Sequence, residues 1–194
     1  MDFEDCSGKI IVVSGPSGVG KNTLVNLFLE REKAQKIVSA TTRAKREGEI
    51  EGDMYYFISE GEFKDKIKKG EFLEYAHIYG KQYSGILKKS VYDIIRKGGV
   101  AIRDIEVQGF MQIKDKIPKK ILKSIFLLPP SEEILRQRIR ERAKISDEEL
   151  DARMETMNKE LGYSKYYDAT ITTIDGDIEG TYKLFLEKIN ELNK

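Results

Sequence analysis

Hydrophobic and polar positions along the chain form two alternating patterns: short apolar runs, and longer charged stretches with apolar residues at helical spacing. The run KIIVVSG at residues 9–15 predicts a buried strand, and NTLVNLFLEREK at residues 22–33 predicts the helix after it. Apolar runs at residues 99–107, 123–130 and 168–174 predict further strands, each followed by a helical pattern. This alternation predicts an α/β fold in which a parallel sheet is covered by helices.

Two segments interrupt the alternation. Residues 39–89 are rich in tyrosine, glycine and charge, and residues 131–162 are almost entirely charged with a helical pattern. Open α/β sheets bind ligands beyond the carboxyl ends of their strands, so we expect both segments to be insertions over those ends. Apolar residues at helical spacing in residues 182–192 predict core packing.

Composition narrows the classes of partner. The 34 basic and 33 acidic side chains nearly cancel, so no overall positive field draws in nucleic acid or an anionic membrane. No apolar run approaches the roughly 18 residues of a membrane span, and the acidic first residues lack a secretory signal. The single cysteine, Cys6, excludes an internal disulfide. We therefore expect a cytoplasmic protein with small-molecule substrates, and a homo-oligomer stays open.

The stretch GPSGVGKNT fits the spacing G-x-x-x-x-G-K between the first predicted strand and helix. Glycines in this setting let backbone N–H groups converge on phosphate oxygens, and the lysine follows the terminal phosphates as a positive charge. The alternative, a glycine-rich turn with an exposed lysine, explains neither the strand nor the helix around it. The predicted site for a nucleoside triphosphate comprises Gly15, Pro16, Ser17, Gly18, Val19, Gly20, Lys21, Asn22 and Thr23.

The expected metal is Mg²⁺ bound with the nucleoside triphosphate. Asn22 stands where a Ser or Thr usually contacts this ion, and Thr23 is rotated by about 100° around the helix. Mg²⁺ keeps several waters and binds phosphate oxygens, so we assign no direct protein ligand and expect a weakened site.

The segment SATTRAKREGEIEGDMYYF at residues 39–57 carries two arginines, Arg43 and Arg46, whose planar donor groups suit a phosphate. By itself the segment fits a solvated loop equally well. With it, however, the chain resembles the guanylate kinase family. The family has the pattern S-x-T-T-R-x-P-R-x-G-E followed by G-x-x-Y. The residues that match it are Ser39, Thr41, Thr42, Arg43, Arg46, Gly48, Glu49, Gly52 and Tyr55. The match extends to four later segments, GEFLEYA, RDIEVQG, LLPPS and RQRIRERAKISDEELDARM.

The resemblance implies a P-loop nucleoside monophosphate kinase fold, with helices on both faces of the sheet, and transfer of the γ-phosphoryl group of ATP to GMP. It implies a core of residues 1–38, 90–130 and 163–194, a GMP-binding insertion at 39–89 and a helical lid at 131–162. The GMP residues it implies are Ser39, Arg43, Arg46, Tyr55 and Tyr83 for the phosphate, and Glu74 and Asp104, with Glu106 beside them, for guanine. Its catalytic residues are Lys21, Arg43, Arg138, Arg142 and Arg153.

Local spacing supports part of this set. Asp104 and Glu106 lie two apart on a predicted strand, which places both carboxylates on one side; a surface acidic pair is the ordinary alternative. Ser146 and Glu149 form a capping box that predicts a second lid helix. Without the resemblance, a solvated charged helix is the favoured interpretation of this segment.

Departures from the family leave points open. The segment TITTIDGD at residues 170–177 replaces an asparagine–aspartate pair near adenine, and Ser84 precedes Gly85 where the family has the reverse order. Arg103 has no role derivable from the sequence, and His77 is expected to be structural.

Two other classes of function fit parts of the sequence less well. A catalytically silent guanylate-kinase-like interaction module is disfavoured because Lys21 and the lid arginines are retained. A GTP-hydrolysing switch needs an N-K-x-D motif, and NKEL at residues 158–161 lacks the aspartate and falls in the lid.

Overall fold

The structure, a computed structural model, describes residues 3–78, 82–142 and 146–194; the side chain of Arg142 lies outside this description. In chain order the elements are β1 (Lys9–Ser14), α1 (Lys21–Arg31), β2 (Ala34–Lys36), β3 (Ser39–Thr41), β4 (Tyr55–Phe57), α2 (Glu60–Lys68), β5 (Phe72–Ile78), β6 (Gln82–Leu87), α3 (Lys88–Ile95), β7 (Val100–Asp104), α4 (Val107–Ile113), β8 (Leu122–Leu128), α5 (Glu132–Arg142), α6 (Asp147–Leu161), β9 (Ala169–Thr172) and α7 (Ile178–Leu192).

Two sheets organise the chain. A five-stranded sheet has the order β2-β7-β1-β8-β9, and its outer pairs, β2–β7 and β8–β9, are parallel. A four-stranded sheet has the order β4-β3-β6-β5; β3 pairs with β4 in parallel and with β6 antiparallel, and β5 pairs with β6 antiparallel. The predicted α/β fold is confirmed. Three of its apolar runs form the largely buried strands β1, β7 and β8, whereas the run at residues 168–174 forms β9, in which only Ile171 is buried.

The chain divides into two compact units. Unit 1 comprises residues up to 11, 33–103 and 108–122, and unit 2 comprises residues 12–32, 104–107 and 123–194. The division into core, insertion and lid stays a prediction.

Unit 1 contains the four-stranded sheet and an aromatic core beside it. Phe63 of α2 is fully buried and stacks on Phe72 of β5, with ring centroids 4.2 Å apart. Ala40, Ile58, Ile67, Tyr83 and Leu87 complete this cluster. Ser59 caps α2 by accepting a hydrogen bond from the Glu62 backbone N–H at 3.1 Å. A segment that the sequence marks as polar therefore has its own apolar core.

Unit 2 contains the glycine-rich loop and the two charged helices. Helices α5 and α6 bury a shared apolar stripe formed by Leu135, Ile139, Leu150, Met154 and Met157. This packing shows that the charged segment is more than a solvated face. The predicted cap is confirmed, because the Ser146 hydroxyl accepts a hydrogen bond from the Glu149 backbone N–H at 3.3 Å. The predicted core packing of the last helix is also confirmed by buried Tyr182, Phe185 and Ile189 of α7.

One strand is shorter than predicted. β7 ends at Asp104 and α4 begins at Val107, so Glu106 lies in the connection. The prediction that Asp104 and Glu106 share a strand face is therefore wrong. The backbone N–H of buried Ile105 still donates to the Val13 carbonyl at 3.0 Å, but the chain then turns into the helix.

Candidate active site

The glycine-rich loop of unit 2 connects β1 to α1. Gly15, Gly18 and Gly20 have positive φ angles of 146°, 84° and 101°. A side chain at Gly15 would place its Cβ 2.5 Å from the Leu127 carbonyl oxygen, so only glycine fits this turn. No side chain caps α1 at Gly20, and no acidic residue lies in its first turn. The positive end of the helix dipole therefore faces the loop, as in sites that bind phosphate.

Lys21 is held over this loop. Its ammonium group donates to the carbonyl oxygens of Gly15, at 2.5 Å, and Pro16, at 3.0 Å. An ammonium carries three donors and can reorient them, so a phosphate oxygen above the loop can share or replace these acceptors.

A cavity of about 540 Å³ lies over the loop and the start of α1. Lys21 and Arg138 bring positive charge to it, and Asp104 and Glu106 bring carboxylates. Its lining is completed by Ser17, Gly18, Gly20, Asn22, Thr23 and Glu141. Asp104 and Glu106 thus line one cavity, although they do not share a strand.

This cavity offers the ligand types that suit Mg²⁺. The amide oxygen of Asn22, the hydroxyl of Thr23 and the two carboxylates are all hard oxygen donors. Among the described residues, no group of three His, Cys, Asp or Glu side chains is placed to hold a metal by itself. The donor set therefore fits an ion that takes much of its coordination from phosphates and water.

A neighbouring cavity of about 360 Å³ has an apolar lining that includes Val19, Leu127, Ile174 and Ile178. The Thr173 hydroxyl at its edge donates to the Leu128 carbonyl at 3.2 Å. This cavity lies over the loop between β9 and α7.

Thr181, near the start of α7, holds the loop before this helix. Its hydroxyl accepts a hydrogen bond from the Ile174 backbone N–H at 2.9 Å and donates to the Asp177 carbonyl at 3.0 Å. Asp177 caps α7 by accepting from the Gly180 backbone N–H at 2.8 Å. These polar groups hold the loop itself, which leaves the apolar surface as the cavity's main feature.

The lid arginines differ in placement. Arg138 of α5 lines both cavities and forms an ion pair of 2.7 Å with Asp175. Arg153 of α6 pairs instead with Glu149 on its own helix, at 2.7 Å, and lines neither cavity. The prediction for the Arg142 side chain lies outside the described residues.

Behind the loop lie groups for which the sequence offered no role. The Ser14 hydroxyl, at the end of β1, donates to the Ile105 carbonyl at 2.6 Å. Burial raises the pKa of the Tyr167 phenol, and Ser14 partly offsets this increase. Burial also raises the pKa of the Glu160 carboxyl, with a further increase from Glu106 and a decrease from Lys21. Ser14 thus ties the end of β1, from which the loop begins, to the chain after β7.

In unit 1, Arg43 is held in a fixed orientation. Its guanidinium group forms a two-pronged ion pair with Glu49, at 2.7 and 2.5 Å, and lies 5.0 and 5.3 Å from the ring centroids of Tyr55 and Phe57. Glu49 also accepts from the Arg46 backbone N–H at 2.8 Å. Arg43 lowers the pKa of Glu49 to about 2. The Arg46 side chain is exposed on the same loop.

Arg103 is a buried cation beside this cluster. It donates to the carbonyl oxygens of Ile37, at 2.8 Å, and Met54, at 3.3 Å, and lies 5.3 Å from the Tyr55 ring centroid. A lone arginine on an otherwise apolar strand was the signal for such a role, but its acceptors are distant in sequence. Ser39 is the register partner of Tyr55 on the neighbouring strand.

Glu74 and Tyr83 lie on the paired strands β5 and β6. Glu74 is buried, and its Oε1 accepts a hydrogen bond from the Ile86 backbone N–H at 3.1 Å. The Thr41 hydroxyl donates to the Tyr83 carbonyl at 3.0 Å, and the Thr42 hydroxyl accepts from the Tyr83 N–H at 2.9 Å. His77 stacks on the Tyr83 ring with centroids 4.3 Å apart. Two threonines and one histidine thereby orient the tyrosine.

Comparison with known proteins shows the family of this chain. The family model described as guanylate kinase matches residues 7–192. The chain belongs to the guanylate kinase family. A guanylate kinase of Prochlorococcus marinus subsp. pastoris is 45% identical over 170 residues, which cover 87% of this chain and 91% of the relative. One of Clostridium tetani is 45% identical over 165 residues, covering 84% of this chain and 78% of the relative.

The fold comparison gives the same family. The crystal structure of guanylate kinase from Anaplasma phagocytophilum superposes with a TM-score of 0.71 at 31% identity, covering 96% of this chain and 86% of that one. Within the part of the chain that the structure describes, no helix is long and apolar enough to span a membrane. For a member of the guanylate kinase family, the cavity over the phosphate loop is the natural candidate for the site of phosphoryl transfer.

Proposed function

We propose that the protein transfers the γ-phosphoryl group of ATP to GMP, giving ADP and GDP. The observation that carries this proposal is the cavity in which Lys21 and Arg138 meet the uncapped start of α1 over a phosphate-binding loop. Membership of the guanylate kinase family supplies the acceptor, since the curated relatives carry that name.

The chemistry requires positioning more than proton transfer. An oxygen of the GMP phosphate attacks the γ-phosphorus of ATP, and the bond to the oxygen that bridges the β- and γ-phosphates breaks, leaving ADP. The attacking oxygen is already anionic, so no strong base is needed. The difficulty is repulsion between two polyanions, which positive groups such as Lys21 and Arg138 relieve. Mg²⁺ bound with ATP would neutralise further negative charge. The side chains that line the cavity and could bind it are Asn22, Thr23, Asp104 and Glu106.

The remaining site assignments are proposals on the same basis. Arg43, stacked on Tyr55 and braced by Glu49, has the planar donors that a phosphate requires. Ser39, Arg46, Tyr55 and Tyr83 would bind the same phosphate, and Glu74 and Asp104 would accept from guanine. Arg142 and Arg153 would join Arg138 as lid residues, and Arg43 would complete the catalytic group. The scaffold alternative gains no support, because the phosphate loop keeps its glycines and its lysine.

The test is ADP release, coupled to an optical assay, with ATP, Mg²⁺ and each of GMP, AMP, CMP and UMP in turn. We expect turnover with GMP and little with the other three. ADP release no faster with GMP than without an acceptor would refute the proposal. Equal rates with GMP and AMP would retain the kinase and refute the acceptor.

A further inference from the structure

A glutamine side chain holds the outer edge of the strand that carries Glu74. Gln112 lies on α4, and its Oε1 accepts a hydrogen bond from the Tyr75 backbone N–H at 3.2 Å. Its Nε2 donates to the Tyr75 carbonyl at 2.8 Å. One amide side chain thus pairs with both backbone groups of one residue.

The position of β5 explains why such a contact matters. β5 is the last strand of the four-stranded sheet, so among the residues that the structure describes its outer backbone groups have no strand partner. A carboxamide has the same donor and acceptor as a peptide group, and it can stand in for a neighbouring strand at one position. Gln112 and Tyr75 both belong to unit 1, as does Glu74.

The strand needs support at this point because its inner pairing is irregular. The register between β5 and β6 shifts between Phe72 and Glu74, where a bulge interrupts the ladder. The Glu74 carboxylate itself accepts the Ile86 N–H at 3.1 Å, which places a side chain in the role of a backbone acceptor. The orientation of Glu74 therefore depends on how firmly the backbone beside it is held.

Close packing on the inner side adds a second constraint. A Cβ at Gly85 would lie 2.6 Å from the Glu74 carbonyl oxygen and 2.7 Å from the Tyr75 Cβ. The two strands approach closely here only because residue 85 is glycine. This contact accounts for the order of Ser84 and Gly85. On the opposite side of β5, Gln112 pairs with Tyr75, and the Lys116 ammonium group donates to the Leu73 carbonyl at 3.5 Å.

We propose that Gln112 is a positioning residue for Glu74 and, through Glu74, for recognition of guanine. The proposal rests on the proposed function, in which the Glu74 carboxylate accepts hydrogen bonds from the guanine edge. A carboxylate free to shift with its strand retains its charge but loses the geometry that distinguishes guanine from a base without an amino group at C2. Gln112 does not touch the substrate in this scheme.

The main test compares Gln112→Met, which keeps the length of the side chain but removes both hydrogen bonds, with the parent. The matched control is Gln108→Met on the same helix, where the side chain is exposed. Steady-state kinetics are measured with GMP and with IMP, which lacks the amino group at C2. We expect the KM for GMP to rise by about three- to tenfold, the range for one or two neutral hydrogen bonds. The kcat should stay within about twofold, since the lost contact acts on binding rather than on the transition state.

A double-mutant cycle with Glu74→Gln shows whether Gln112 acts through Glu74. If it does, Gln112→Met lowers the preference for GMP over IMP in the parent and has little further effect when Glu74 is already changed. Additive effects, or an unchanged preference in the single variant, would overturn the inference. A parent without activity on GMP would instead overturn the proposed function, which separates the two failures.

Hydrogen exchange gives a readout independent of turnover. The Tyr75 amide should exchange faster in Gln112→Met than in the parent, with unchanged exchange in Gln108→Met. If Gln112→Met fails to fold, Gln112→Glu serves instead, because its carboxylate keeps the acceptor for the Tyr75 N–H and loses the donor to the Tyr75 carbonyl. An intermediate loss of GMP preference is then expected, and no loss would count against the proposal.

Discussion

At the scale of single residues, the Tyr55 ring contacts two arginine side chains of unit 1. The guanidinium groups of Arg43 and Arg103 lie 5.0 and 5.3 Å from its ring centroid. Arg43 is braced by Glu49, whereas Arg103 is buried and donates to backbone carbonyls. One arginine thus stays on a partly exposed site suited to an anion, and the other fixes the backbone that carries the site.

At Lys21, we expect that substitution by Ala abolishes turnover. The ammonium group is held over the glycine-rich loop by two carbonyls, and in the proposed mechanism it follows the transferring phosphate. Its loss should lower kcat by on the order of 10³-fold or more. The measurement is ADP release at saturating ATP and GMP, with Lys33→Ala at an exposed position as the control. Turnover of Lys21→Ala within tenfold of the parent would contradict the proposed mechanism.

At Glu49, we expect a contribution to stability that depends on pH. The ion pair with Arg43 lowers the pKa of the folded carboxyl from 4.5 to about 2. A lowered folded pKa means that the contribution is fully present above pH 4.5 and is lost as the pH falls toward 2. Urea unfolding at a series of pH values should therefore show a steeper loss of stability for the parent than for Glu49→Gln in this window. Parallel curves would show that the pair does not stabilise the fold.

At the scale of elements, hydrophobic spacing predicted the elements that depend on local signals. The strand of residues 9–15, the helix after it and the Ser146 cap were all found close to their predicted bounds. The end of β7 was not predicted, because the turn into α4 follows a contact between the Ile105 backbone N–H and the Val13 carbonyl, two residues far apart in sequence.

The contacts of Gln112 and Arg103 were also beyond the sequence. Gln112 meets Tyr75 across 37 positions, and Arg103 meets Ile37 across 66. Such pairings follow from the topology, and no local sequence pattern around either residue identifies the residue that it contacts. The position of the glycine-rich loop between β1 and α1, by contrast, was predicted, because its spacing is encoded in consecutive residues.

We expect the apolar core shared by helices α5 and α6 to affect the rate of the reaction more strongly than it affects the affinity for GMP. Met154 is buried between Leu135, Ile139 and Leu150, and its truncation to Ala should cost about 2–5 kcal/mol of packing. A loosened helix pair would present Arg138 less often to the phosphate cavity, so kcat should fall while the KM for GMP stays within a few-fold. The control is Asn158→Ala, exposed on the same helix. A change confined to KM would place this core in GMP binding instead.

At the scale of the whole molecule, each unit carries its own proposed substrate groups. Unit 1 has the cluster around Arg43 with Glu74 and Tyr83, and unit 2 has the phosphate loop with Lys21. The chain as a whole has a net charge of only +1, so attraction of anionic nucleotides depends on these local groups. We therefore expect that a single substitution can weaken the binding of one nucleotide without weakening the binding of the other.

Thermal unfolding with one nucleotide at a time tests that separation. A ligand at 100 times its dissociation constant stabilises the folded state by about 2.7 kcal/mol, which raises Tm by roughly 5–11 °C at this chain length. In the parent, GMP alone and ADP with Mg²⁺ alone should each raise Tm. Glu74→Ala should lose most of the shift with GMP and keep the shift with ADP, because it removes one of the two proposed guanine acceptors and leaves the glycine-rich loop unchanged. Lys21→Ala should show the reverse pattern, since its charge serves the phosphates of the other nucleotide. Loss of both shifts in either variant would show that the two binding events depend on the same residues, and would overturn the assignment of one substrate to each group.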